Sequence, residues 1–335
     1  ELSGLLKGKI HMTSTHGKGS TFALYLPETF ESETQIDEKS PVLSDVKIES
    51  ETDISKKTEK PDNRKEIEEH IKDDRKTISE EDKSILIIED DPVFLKILRD
   101  LSREHGFKCL VAGDGETGLQ FADYYKPSGI ILDLNLPGIN GWTVMSRLKD
   151  NPESRHIPVH FISASDNKFD ALKMGAIDYV TKPVSPEVID QVFDKFNKII
   201  SKPVKDLLVV EDNPEQAEVI SSIIGSGDVK TTTVPTAQEA YDHILTGRFD
   251  CMVLDINLPD MSGIELLNKI RKNDELFQLP VIVYTGRDLT NAEKRIIDEY
   301  AATTIMKVAG SHRKLLDKTT LFLHRVESNL PETQR

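Results

Sequence analysis

The chain is poor in cysteine, with Cys109 and Cys251 the only two in 335 residues. They lie far apart in apolar surroundings, which excludes a disulfide framework or a cysteine metal site and reads as two buried thiols in a reducing compartment. No apolar run approaches the about 20 residues that cross a membrane, and no signal peptide opens the chain. This segment is therefore expected to make no membrane contact and to be cytoplasmic. A basic excess is missing too: 43 Lys and Arg against 58 Asp and Glu leave a formal charge of -15. That balance opposes nonspecific attraction to nucleic acid or anionic lipid. His11, His16, His70, His105, His156 and His160 fall in no histidine-phosphotransfer motif and are predicted to be surface or loop residues.

The hydrophobic fraction of 37% and mean hydropathy of -0.39 are low for a wholly globular chain. Residues 28–82 hold a single aromatic, Phe30, among many mixed charges. Such a stretch buries too little apolar surface to offset the entropy of ordering it, and it is predicted to be a disordered tether. Glu and Lys recur at helical spacing near "RKEIEEHIKDD", so a transient helix fits there.

From residue 83 the pattern changes. "SILIIEDD" is a continuous apolar run ending in acids, followed by Pro92, an amphipathic stretch and a glycine. This predicts a buried parallel strand, a helix opening on proline and a glycine stop. Five such strands alternate with five helices, which implies a doubly wound parallel sheet with right-handed crossovers. The series restarts at "DLLVVEDNPEQAEVISSIIG". Glu89 and Glu211, Asp133 and Asp255, and Ser163 and Thr285 are each 122 positions apart, whereas Lys182 and Lys307 are 125 apart. A short insertion is thus placed between the fourth and fifth strands of the second copy. Only "SKPVK" joins the copies, so the last helix of one feeds almost directly into the next.

Functional groups of an open parallel sheet gather at the carboxyl ends of its strands. Those ends carry Glu89, Asp90, Asp133, Ser163 and Lys182 in the first copy, and Glu211, Asp212, Asp255, Thr285 and Lys307 in the second. Three crowded carboxylates repel one another unless a cation sits among them, and an all-oxygen cluster suits Mg²⁺. With a metal present, one carboxylate can act as nucleophile toward a phosphoryl group, whose remaining oxygens then meet metal, ammonium and hydroxyl. Asp91 before Pro92 reads as a helix N-cap, and Trp142 as a packing residue in a first helical turn.

These positions, with the turns "LDLNLPGING" and "LDINLPDMSG", resemble the response-regulator receiver domain of two-component signalling, over residues 83–200 and again 206–328. The resemblance implies two consecutive flavodoxin-like (βα)5 folds. It also implies Asp133 and Asp255 as phosphoacceptors and Asp90 and Asp212 as direct Mg²⁺ ligands. Glu89 and Glu211 would assist through water, and the carbonyls of Asn135 and Asn257 would complete the metal sites. Ser163 and Thr285 would be switch hydroxyls, Lys182 and Lys307 phosphate-binding lysines, and Tyr179 the aromatic that rotates inward. Thr304 stands where a second such aromatic would be, which raises the alternative that the second copy is an unphosphorylated docking module. Another alternative, a haloacid-dehalogenase-type phosphatase, needs an acid two residues after the nucleophile, where Asn135 and Asn257 stand and cannot donate a proton.

Residues 1–27 contain two alternating strands joined by "HGKG", a hairpin by turn chemistry. "GKGST" lacks Walker spacing and reads as a tight turn. The stretch resembles the closing hairpin of the ATPase domain in sensor histidine kinases, ending "FALYLP". That implies a piece of a hybrid histidine kinase without ATP-binding boxes or a phosphoacceptor histidine. The implied partners are a histidine-kinase or phosphotransfer domain as donor and a downstream signalling protein. Residues 329–335 read as a polar tail.

Overall fold

A computed structural model describes residues 9–15, 19–25, 71–79, 81–165, 167–225, 227–273 and 276–325. The tether over 28–70, the tail at 329–335, and His16 and His70 lie outside the described residues, as does most of the transient helix expected near 64–74. The chain divides into two compact units, Glu1–Thr58 and Glu59–Arg335. In the first, β1 (Lys9–Thr15) pairs antiparallel with β2 (Gly19–Tyr25), Thr15 opposite Gly19 and Lys9 opposite Tyr25.

The second unit holds two repeats. The first runs β3 (Ser84–Ile88), α1 (Pro92–Glu104), β4 (Lys108–Ala112), α2 (Gly115–Tyr125), β5 (Gly129–Leu132), α3 (Gly141–Asp150), β6 (Val159–Ser163), α4 (Lys168–Lys173), β7 (Asp178–Thr181) and α5 (Pro186–Ser201). The second runs β8 (Lys205–Val210), α6 (Pro214–Ile224), β9 (Val229–Val234), α7 (Ala237–Thr246), β10 (Cys251–Leu254), α8 (Gly263–Arg271), β11 (Val281–Thr285), α9 (Asn291–Tyr300), β12 (Thr303–Met306) and α10 (Ser311–Phe322). Their sheets have strand orders β4-β3-β5-β6-β7 and β9-β8-β10-β11-β12, all parallel.

The apolar runs are continuous because both faces of each sheet are covered. Leu86 and Ile88 enter the core beneath α2 and α3, while Ile85 and Ile87 enter the one beneath α1 and α5. Leu208 and Val210, against Leu207 and Val209, repeat this division in the second sheet. Each such side chain, fully removed from water, contributes roughly 2 kcal/mol. Asp91 caps α1 by accepting from the Val93 and Phe94 amides, with Pro92 opening the helix, and Gly106 (φ +83°) ends that segment. The insertion appears as a longer fourth helix in the second repeat, α9 against α4.

Two expectations are corrected. The tether was expected to run to residue 82, yet Ile71 is buried and Asp73 and Asp74 are tied to β4. The Asp74 carboxylate accepts from the Cys109 amide at 2.8 Å, and Asp74 N–H donates to the Cys109 carbonyl at 2.9 Å. Arg103 completes the contact with a 2.8 Å ion pair to Asp74. The segment satisfies the open edge of β4, a long-range role its local composition does not encode. His160 was expected at the surface or in a loop but is the second residue of β6 and is 1% exposed. Burial pushes its pKa down to about 4, so it is held neutral, with its Nδ1 3.0 Å from the Phe161 carbonyl. His105 lies in the turn after α1, stacks on Phe193 and is 3.0 Å from Asp190, tying α1 to α5.

Both cysteines are buried and unpaired, and burial pushes the Cys109 thiol up to about 12 and the Cys251 thiol higher still. Among the described residues, no helix is long and apolar enough to cross a membrane.

Candidate phosphoacceptor sites

In an order with β3 flanked by β4 and β5, the chain leaves the central strand in opposite directions, opening a crevice at the strands' carboxyl ends. The site residues sit on this rim. Backbone bonds carry the ladders one residue past the strands: Asp133 N–H donates to Ile88 at 3.0 Å, and Lys182 N–H to Ser163 at 2.7 Å. The second repeat does the same, Asp255 to Val210 at 3.0 Å and Lys307 to Thr285 at 2.8 Å. Strand pairing thereby sets the height of each functional side chain.

Lys182 Nζ donates to Glu89 Oε2 and Asp133 Oδ2, both at 2.8 Å. Lys307 Nζ donates to Glu211 Oε2 at 2.7 Å and Asp255 Oδ2 at 2.6 Å. Burial pushes the Glu89 pKa up to about 7, with Lys182 opposing and Asp133 adding to the rise. Burial also raises Glu211. Burial pulls each lysine down, but its two carboxylates outweigh that and leave Lys182 and Lys307 above the ordinary lysine value. Each ammonium is thus fixed as a cation against the aspartate beside it.

Glu89, Asp90 and Asp133 offer carboxylate oxygens within 4.8 Å of one another, and so do Glu211, Asp212 and Asp255. Three carboxylates around one ammonium leave uncompensated negative charge, and an all-oxygen donor set fits a hard divalent cation. The Asn135 and Asn257 amides donate to Asp133 Oδ1 at 3.2 Å and Asp255 Oδ1 at 3.3 Å. The loops after β5 and β10 turn tightly enough that a β-carbon on Gly141 would lie 2.2 Å from the Asp133 carbonyl oxygen, and one on Gly263 2.4 Å from that of Asp255. Only glycine allows the third helix to start so close to the loop.

Ser163 and Thr285 end β6 and β11 and are fully buried. Ser163 Oγ has no hydrogen-bond partner among the described residues. Tyr179 is buried, packs 6.0 Å from the Phe161 ring, and its hydroxyl donates to the Ser165 carbonyl. Thr304, its counterpart, is exposed. Trp142 lies in the first turn of α3, 5.3 Å from Phe161, as its spacing predicts.

Several contributors were not legible beforehand. Phe94 places its ring 4.8 Å from Lys182 Nζ, whereas Gln216, 122 positions later, accepts from Lys307 at 2.8 Å. Lys149 and Arg271, also 122 apart, each clamp the loop before the fourth strand. Lys149 donates to the Arg155 and Ile157 carbonyls at 3.0 and 2.7 Å. Arg271 donates to the equivalent Phe277 and Leu279 carbonyls and to Tyr300 at 2.7 Å. A cation recurring at the repeat offset was the available signal, but its acceptors are backbone carbonyls and leave no sequence mark.

A doubly wound sheet with a lysine-held aspartate and two further carboxylates on its rim defines a class of phosphoacceptor module. The model of the response regulator receiver domain matches residues 85–194 and 207–319, more than half of the chain, and the chain belongs to that family, with two receivers in tandem. It is 26% identical over 233 residues to the response regulator PleD of Caulobacter vibrioides, covering 61% of this chain and 51% of PleD. It therefore spans about half the length of that relative. It is 34% identical over 114 residues to the polar-differentiation response regulator DivK of Brucella anthropi, covering 33% of this chain and 93% of DivK. A CheY-like receiver structure from Methanospirillum hungatei is 27% identical, covers 38% of this chain and 99% of its own, and gives a TM-score of 0.33. Receiver architecture with such acidic clusters is that of Mg²⁺-dependent phosphoaspartate signalling in two-component systems.

Proposed function

We propose that Asp133, and after it Asp255, accept a phosphoryl group from a phosphohistidine of a histidine-kinase or phosphotransfer domain. The observation that carries this reading is the recurrence, at both sites, of a lysine ammonium within 2.6–2.8 Å of one buried aspartate and one buried glutamate. The aspartate oxygen attacks phosphorus, the P–N bond to the donor imidazole breaks, and the imidazole leaves and takes a proton from solvent. The product is an aspartyl phosphate. Asp90 and Asp212 would hold Mg²⁺ directly, with Glu89 and Glu211 through water and the Asn135 and Asn257 carbonyls completing the set. When bound, the metal neutralises charge on the transferring phosphoryl oxygens. Lys182 and Lys307 orient the aspartates and neutralise a second oxygen, and Ser163 and Thr285 offer a hydroxyl to the third.

The added charge of about -1.5 to -2 then biases protein contacts. The whole protein on this reading is a cytoplasmic hybrid histidine kinase, with 1–27 from its ATPase domain, a linker from 28 to about 70, and receivers over 83–200 and 206–328, residues 71–79 packing on the first receiver. A second reading, in which the second receiver is an unphosphorylated docking module, is favoured by exposed Thr304 in place of Tyr179. Incubation with Mg²⁺ and acetyl phosphate, read by intact mass, decides between them. Two phosphoryl groups on the wild type, one lost with Asp133→Asn and the other with Asp255→Asn, are expected. Uptake at Asp133 alone supports the docking module, and none even with a cognate kinase refutes both.

A further inference from the structure

The surface that α4, β7 and α5 form on the first receiver is occupied by the second. Asp178, the residue before Tyr179, accepts from Lys195 Nζ at 3.0 Å and from Gln278 Nε2 at 3.1 Å. Gln278 Oε1 in turn accepts from Lys195 Nζ at 2.5 Å. The three side chains close a ring in which one amide uses both its ends. Beside it the Phe277 ring lies 6.5 Å from Phe169 of α4, and Lys173 of α4 donates to the Asp298 carbonyl of α9. Arg271 holds the Phe277 and Leu279 carbonyls, so the docking loop is rigid on the side of the second receiver.

The contact is partly reciprocal, because Arg155 in the first receiver's equivalent loop lies 3.9 Å from Asp317 on α10. The ring is not repeated: the counterparts of Asp178 and Lys195 are Thr303 and Thr320. Its chemistry therefore runs one way, from the loop of the second receiver to the switch strand of the first.

We infer that the second receiver is the partner that reads the first, and that phosphorylation of Asp133 tightens this docking. The inference rests on the phosphoacceptor reading of Asp133. Ser163 Oγ is buried without a partner, and a phosphoryl oxygen on Asp133 is an acceptor for it. That bond fixes the segment 163–165, whose Ser165 carbonyl already receives the Tyr179 hydroxyl. Tyr179 is 4% exposed, packed inward, and adjacent in β7 to Asp178, which meets Gln278. The inward Tyr179 and the docked loop belong to one state, so a ligand that favours the first favours the second.

Hydrogen exchange of the full chain, read by mass spectrometry over 168–178 and 276–280, tests this with Asp255→Asn to confine uptake to Asp133. With Mg²⁺ and acetyl phosphate these segments should exchange at least about fivefold more slowly. Asp133→Asn should not respond. Gln278→Ala and Gln278→Glu, each combined with Asp255→Asn, should take up one phosphoryl group by intact mass yet lose the slowing. Without donor, both should already exchange faster than the parent over 168–178. One phosphoryl group taken up with exchange unchanged or faster overturns the coupling. Gln278 variants that exchange like the parent without donor overturn the docking. Absence of uptake by intact mass refutes the phosphoacceptor reading, and the coupling falls with it, while the donor-free comparison still judges the docking.

Discussion

Where the first receiver sets Phe94 against Lys182, the second sets Gln216, which accepts a hydrogen bond from Lys307. Where the first places Tyr179 inward on β7, the second exposes Thr304, and its aromatic next to the lysine is Tyr284 on β11. Tyr284 faces the other side of the sheet, with its ring 5.5 Å from Lys307 Nζ and its hydroxyl 2.8 Å from Ser311 Oγ at the start of α10. Two residues past the strand-end hydroxyl, Ser165 is 3.4 Å from the Tyr179 hydroxyl, whereas Arg287 pairs with Glu293 at 2.6 Å. Glu293 also closes a capping box on Thr290, fixing the start of α9. The contrast separates two properties that one site combines. The lysine, aspartate and glutamate that handle charge are the same in both receivers. The groups that would transmit a change differ at nearly every position, and among the described residues only the first receiver has a buried strand-end serine without a partner, followed by a segment linked to a buried tyrosine.

The sharpest way to break the equivalence is at the lysines. If both sites perform the same chemistry, Lys182→Met and Lys307→Met should each slow phosphoryl uptake at their own aspartate by about 10²–10³-fold, as loss of a preorganised charge does. Time-resolved intact mass in an Asp255→Asn or Asp133→Asn background measures this. An unchanged rate at Asp255 in Lys307→Met would show that the shared geometry is not shared chemistry.

A comparable effect on stability is expected at His160, whose counterpart 122 positions later is Ile282. His160 has a folded pKa of about 4 against the ordinary 6.5, so between these values the unfolded chain binds more protons. Stability contributed by the neutral ring is therefore full above pH 6.5 and is lost as pH falls toward 4, by up to about 3 kcal/mol. Urea unfolding at pH 7 and pH 4.5 should show the first receiver weakening more than the second, and His160→Ile should remove that difference. A first receiver that still weakens more than the second in His160→Ile, as in the wild type, would locate the sensitivity elsewhere.

The smallest effect concerns the support beneath the ammonium. Gln216→Phe replaces a hydrogen bond by a ring like Phe94 and should change the free energy of uptake at Asp255 by about 1 kcal/mol or less. A larger change would mean that Gln216 does more than hold the lysine.

Most of the fold was legible because its signals are local. A buried strand ending in acids, a proline-opened helix and a glycine stop lie within some twenty residues, and their repetition at an offset of 122 made each copy a check on the other. Side-chain types at strand ends likewise declared the rim, since a parallel sheet brings those ends together whatever the details of packing. Residues 71–79, His160, the Lys149 and Arg271 clamps and the Gln278 ring were not legible. Each depends on a partner far along the chain: an open strand edge, a covering helix, a backbone carbonyl or the other receiver. Local sequence sets which groups are present and their order on the rim. Only the tertiary structure decides which of them lose water and which find a partner, because burial and hydrogen bonding belong to the assembled chain.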